Sequence, residues 1–162
     1  MKIAFITDSE QELYFFPGLI EALGAEIKDL EARELFVPSA LDIPAKCLDA
    51  LDCELIFVQH FFEKEDLKVQ TLMAKLVDFE LSNKVKVVKA IESFDLEELL
   101  TEEDFENAKA ELAQEWSQVI LGVLFNQEAF KPSPSEESED GEESEAEESG
   151  EDEGEEEPES EE

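Results

Sequence analysis

One side chain in these 162 residues, His60, belongs to the type whose ordinary pKa lies near neutrality, so it is the natural candidate for moving a proton. It follows a β-rich run, residues 54–59 (ELIFVQ), and therefore stands with Gln59 at a strand's carboxyl end. Phe61 and Phe62 come next. A loop histidine packed between two aromatics is the alternative to a reactive one. The aromatic pair could also stack on a flat heterocycle, or fill a subunit interface, where exposed aromatics are enriched. Glu63, Glu65 and Asp66 superficially resemble metal ligands. A charge run in a loop is commonly just solvated, and magnesium needs only one or two carboxylates plus substrate, so no metal site is assigned.

A second chemical possibility lies in residues 35–51, LFVPSALDIPAKCLDAL, where a strand hands over to a helix through a two-proline loop. Pro38 ends the strand because it offers no N–H, and Pro44 suits a first helical turn for the same reason. Asp42 has a side chain that can cap the starting helix. Ile43, Cys47, Leu48 and Leu51 then recur at three- and four-residue steps, the spacing of one apolar face. The backbone N–H groups of Ser39, Ala40 and Leu41 would then stand beside a positive helix end and suit an oxygen-rich ligand. The alternative is a capped connection that binds nothing.

Other reactive types are sparse. Cys47 and Cys53 are too few and wrongly spaced for a metal knuckle or a CxxC redox pair, and they read as reduced packing residues. The sequence has no G-x-G-x-x-G, no phosphate-binding loop ending in Gly-Lys-Ser/Thr and no G-x-S-x-G elbow.

Strands and helices alternate along the chain. Residues 2–7 (KIAFIT) open as a strand of the kind buried on both faces, followed by Asp8, Ser9 and Glu10. Residues 11–24 hold a helix starting or kinking at Pro17, with Gly24 as its stop. After the strand at 34–37 and the helix that follows, residues 54–59 form strand three, and residues 60–66 a loop. Val69, Leu72, Met73 and Leu76 then mark helix three, which Asn83 can end. Residues 84–91 (KVKVVKAI) form strand four. Thr101 with Asp104 resembles a capping box before a last helix striped by Phe105, Ala108, Leu112, Trp116, Val119, Ile120 and Val123. Trp116 on that stripe reads as core.

Four such repeats imply an α/β fold: a flavodoxin-like, three-layer α/β/α arrangement around a four-stranded parallel sheet, in the order 2-1-3-4. Its carboxyl-end loops, 8–10, 39–42, 59–62 and 92–95, should face one crevice, where an active site belongs.

Charge narrows the partners. From Pro132 to Glu162 there are 18 acidic and no basic residues among 31, with nothing aliphatic larger than Ala, so this tail is expected to be disordered. Removing those 18 from 46 leaves 28 acidic against 12 basic residues in residues 1–131, the expected folded domain. Nucleic acid is an unfavourable partner for such a chain, which has a single Arg. The tail reads as a solubilising brush or as an electrostatic lure for a basic partner. No segment is long enough to cross a membrane, and MKIAFITDSE lacks the layout of a secretory signal, so a cytoplasmic location is expected.

Val37-Pro38, Asp42-Ile43-Pro44 and Cys47 together resemble the V-P-x-x-x-D-[L/I]-P-x-x-C pattern of the archaeal-type riboflavin synthases, close relatives of the lumazine synthases. LSNKVKVV at 81–88 is similar to that family's turn and fourth strand, and VLFNQEAF at 123–130 to its closing helix end. The resemblance covers residues 1 to 131. It implies transfer of a four-carbon unit between two molecules of 6,7-dimethyl-8-ribityllumazine, giving riboflavin and a pyrimidine. It also implies a homo-oligomer, a pentamer with pockets at subunit interfaces, and Mg²⁺ supporting activity rather than a tightly bound cofactor. In such a pocket Ser39, Ala40, Leu41 and Asp42 would hold the ribityl hydroxyls, Asp8 and Ser9 would line the other wall, and Gln59 is expected to bind substrate as well.

The chain departs from the family at the crevice edge. The family's Gly- and Pro-containing loop after strand three is replaced by Gln59-His60-Phe61-Phe62, and its His-Glu pair on the next helix by Gln70-Thr71. A His beside acids after strand four is replaced by Glu92-Ser93-Phe94-Asp95, and the last helix has lost its arginines. Abstracting a proton from the lumazine methyl group needs a positioned base, for which His60 is the one replacement on offer. Two expectations follow: a riboflavin-biosynthetic enzyme, or a family member that has lost chemistry and keeps a lumazine- or flavin-binding or assembly role.

Overall fold

The computed structural model describes residues 1–9 and 11–125; Glu10 and residues 126–162, which include the expected acidic tail and most of the segment likened to a closing helix end, lie outside the described residues. Those described belong to one compact unit, Met1–Lys131.

Strand β1 (Lys2–Asp8) alternates its side chains across the sheet: Ile3 and Phe5 enter one apolar layer, Ala4 and Ile6 the other. Both layers are filled, which is why the run reads as continuously apolar. Three further strands, β2 (Glu31–Val37), β3 (Leu55–Phe62) and β4 (Lys86–Ser93), complete an all-parallel sheet in the order β2-β1-β3-β4. Helices α1 (Phe16–Glu26) and α4 (Glu102–Phe125) supply the apolar partners on one face. On the other face lie α2 (Ile43–Cys47), extended at both ends by 3₁₀ turns, and α3 (Leu67–Asn83). Gly18 lets α1 and α4 approach closely, since an added Cβ there would stand 3.3 Å from Ala113 Cβ.

The caps carry local sequence into geometry. Thr101 and Asp104 form the reciprocal capping box: Asp104 N–H donates to Thr101 Oγ1 at 3.1 Å and Thr101 N–H to Asp104 Oδ2 at 2.8 Å. The Thr101 hydroxyl, donating to Asp104 Oδ2 at 2.8 Å, and the Thr101 N–H beside it hold the Asp104 carboxyl below the usual carboxylate range. At the start of α3, Asp66 has an extended backbone and its Oδ1 accepts from Val69 N–H at 3.0 Å. Asp66→Ala should lower stability by about 1 kcal/mol, and Asp66→Asn should restore most of it, as read by urea denaturation.

Three expectations change. Gly24 does not stop α1, which runs on to Glu26 and ends where Ile27 turns extended; no described glycine has positive φ, so none acts as a left-handed stop. Asp42 does not cap with its side chain, because its backbone is already helical (φ −87°, ψ −13°); the cap is Ser39, extended at φ −142°, whose hydroxyl accepts from Leu41 N–H. Strand three does not end at Gln59. Pairing with β4 continues through Phe62↔Ser93, so His60, Phe61 and Phe62 are strand residues, and polar side chains at 59 and 60 hide that in the sequence.

Both cysteines are free and buried, and burial pushes the Cys47 thiol up to about 12. Because the thiolate is the reactive form, Cys47 should resist iodoacetamide at pH 8 in the native protein and react once denatured, a difference that intact mass would show.

Candidate functional site

The sheet grows in opposite directions from its first strand, with β2 on one side of β1 and β3 on the other. That makes the carboxyl ends of β1 and β3 the topological switch point, the place in such sheets where the following loops part and leave a crevice. Asp8 and His60 occupy those two ends. Both project toward the α2/α3 face, in phase with Ile6 and Val58.

Their side chains meet. His60 Nδ1 lies 2.8 Å from Asp8 Oδ2, with the carboxylate wholly buried and the imidazole nearly so. An ionised carboxylate can only accept, so this bond selects the Nδ1–H tautomer and leaves the basic lone pair on Nε2. The ring stacks against Phe62 at 6.4 Å and 28°. It also lines a cavity of about 300 Å³ together with Gln11, Phe62, Lys64, Asp66 and Phe94. An imidazole oriented by a buried carboxylate at a cavity wall is suited to general acid–base work.

Gln11 is the member of the site that sequence reading missed. Its Oε1 accepts from Phe61 N–H at 2.7 Å and its Nε2 donates to Phe61 O at 3.3 Å. The same Nε2 lies 3.3 Å from His60 Nδ1. Two donors cannot share a proton, and the Phe61 N–H requires Oε1 on its side, so the Gln11 amide serves the Phe61 peptide while Nδ1–H serves Asp8. The available signal was Gln11's place three residues beyond Asp8, at the switch point.

The remaining predicted residues are distributed around this centre. Ser9 is exposed, and its N–H donates to Val37 O at 2.8 Å, extending the β1–β2 contact past Asp8. Gln59 is turned to the opposite face of the sheet, donating from Nε2 to Leu13 O at 2.6 Å; its Oε1 is buried without a hydrogen-bond partner among the described residues. Ser39, Ala40, Leu41 and Asp42 do not line the cavity beside His60. Two of the N–H groups near that turn are used within it: Leu41 N–H goes to Ser39 Oγ at 3.4 Å and Asp42 N–H to Ser39 O at 2.9 Å. Position 71, where the resemblance would place part of a His-Glu pair, holds a threonine whose hydroxyl donates to Leu67 O at 2.7 Å within α3.

Among the described residues, no group of three or more His, Cys, Asp or Glu side chains is placed to hold a metal ion. No described helix is long and apolar enough to cross a membrane. Compared with known proteins, the chain matches no family model and no curated protein.

Proposed function

We propose that this protein is a riboflavin synthase-type enzyme of the lumazine synthase-like α/β class, acting on 6,7-dimethyl-8-ribityllumazine with His60 as its base. The observation that carries the reading is the 2.8 Å Asp8–His60 pair at the β1/β3 switch point, beside a cavity with aromatic walls. In this reading the lumazine ring lies against Phe62 and Phe94, and Nε2 takes the proton from its methyl group. Asp8 stabilises the imidazolium that forms, and the resulting carbon nucleophile begins the transfer of the four-carbon unit.

Ligand pockets for small molecules start at about 300 Å³, so the volume of the cavity supports a reading in which it receives one lumazine. The reaction consumes two. In this reading the second is bound with help from a neighbouring copy, in the homo-oligomer, a pentamer, that the resemblance implies. Mg²⁺ would have to lean on single carboxylates such as Asp66, since no set of three ligands converges among the described residues; no step is assigned to it.

A second reading, lumazine or flavin binding without turnover, draws on Gln70 and Thr71. Gln70 Nε2 reaches Glu65 at 3.4 Å and Thr71 bonds its own helix, so neither supplies a titrating group. Incubating purified protein with the lumazine and Mg²⁺ and following riboflavin fluorescence separates the two. Turnover supports the enzyme, binding without product supports the second reading, and neither binding nor product sinks both.

A further inference from the structure

Strand β1 stops pairing with β3 at Thr7↔Gln59, whereas β3 continues to Phe62 along β4. The Phe61 peptide would therefore present an unpaired N–H and C=O toward the β1 side, at the point where His60 must be held. A side chain fills that gap. Gln11 Oε1 takes the Phe61 N–H at 2.7 Å and Gln11 Nε2 reaches the Phe61 C=O at 3.3 Å, so one amide replaces a missing rung of the sheet. The loop that carries Gln11 is itself anchored. Gln11 N–H donates to Asp8 O at 3.4 Å, and Gln59 Nε2 grips Leu13 O from the other face.

We propose that Gln11 is a positioning residue for His60: its amide clamps the Phe61 peptide and so holds the imidazole with Nδ1–H on Asp8 and Nε2 toward the cavity. This deepens the reading given above and rests on it for what the base acts upon. Glutamine makes both of these bonds with one side chain. It offers an acceptor and a donor together, as a backbone peptide does, and it stays neutral beside Asp8. Asparagine is one methylene shorter. Glutamate loses the donor to Phe61 O but keeps the acceptor for Phe61 N–H, the shorter of the two bonds, and sets a second acceptor beside Nδ1–H.

Because His60 is the single histidine, its ring nitrogens can be assigned without ambiguity in a long-range ¹H–¹⁵N spectrum, recorded on the full chain at a pH where the ring is neutral. The wild type should show one dominant tautomer, with the proton on Nδ1. Gln11→Leu should give averaged shifts for the two nitrogens, and the Phe61 amide should exchange with solvent about tenfold faster or more, the consequence of losing one hydrogen bond. Gln11→Glu keeps the acceptor for Phe61 N–H and should retain both the Nδ1–H signature and Phe61 protection. If Gln11→Leu does not fold, Gln11→Glu decides the question alone.

An Nε2–H tautomer in the wild type, an unchanged tautomer in folded Gln11→Leu, or loss of the Nδ1–H signature in Gln11→Glu would overturn the assignment. Failure of the wild type to make riboflavin would leave these spectra as they are, so the two ideas fail separately.

Discussion

If the protein makes riboflavin as proposed, His60→Ala should lower its formation by about 10²–10⁴-fold, the range typical of losing a positioned general base. The loss should fall on kcat. Lumazine affinity should change only a few-fold, because the aromatic walls at Phe62 and Phe94 remain. Asp8→Asn tests the other half of the pair. An amide keeps the shape but can present N–H to Nδ1, which favours the wrong tautomer and cannot stabilise an imidazolium, so a loss of similar size is expected. Steady-state fluorescence of the product measures both variants, and unchanged turnover in His60→Ala would remove this residue from the mechanism.

The largest expected effect on stability belongs to Phe57→Ala. Phe57 is fully buried on β3, one of the two central strands, and its ring lies 5.6 Å from Trp116, 5.9 Å from Phe16, 6.0 Å from Phe5 and 6.1 Å from Phe15. Those partners come from β1, α4, the start of α1 and the residue before it, so no single movement can close the cavity. A loss of about 3–5 kcal/mol is expected, a large part of the total stability of a domain this size. Equilibrium denaturation by urea would show it as a lower midpoint. Because Phe57 faces the α1/α4 layer and Asp8 and His60 face the opposite one, molecules of the variant that remain folded should keep the Asp8–His60 pair.

How much of this was legible in the sequence depends on the kind of signal. Alternating strand and helix patterns, with Pro17, Pro38 and Pro44 as punctuation, gave the parallel sheet and its 2-1-3-4 order, because periodicity and right-handed crossovers leave few choices. The capping box at Thr101 and Asp104 was equally readable, since it is a contact between near neighbours. The end of β3 was not. His60, Phe61 and Phe62 look like loop residues, and only pairing with β4, thirty-one positions along, keeps them in the strand. His60 itself could be singled out by type, and Asp8 by its place after the first strand. Their 2.8 Å contact spans 52 residues and depends on the β1–β3 register, which no local pattern encodes. Gln11 escaped notice for the same reason: its amide acts as a backbone surrogate toward Phe61, fifty residues away.

The central claim, that the crevice at the ends of β1 and β3 receives a lumazine beside His60, is tested most directly by titrating 6,7-dimethyl-8-ribityllumazine into the protein while recording the ring resonances of its single histidine. The predicted result is a saturable shift of the His60 ring signals, lost in the Phe62→Ala, Phe94→Ala double variant. Unmoved His60 signals at a lumazine concentration that saturates binding elsewhere, or an absence of binding altogether, would contradict it.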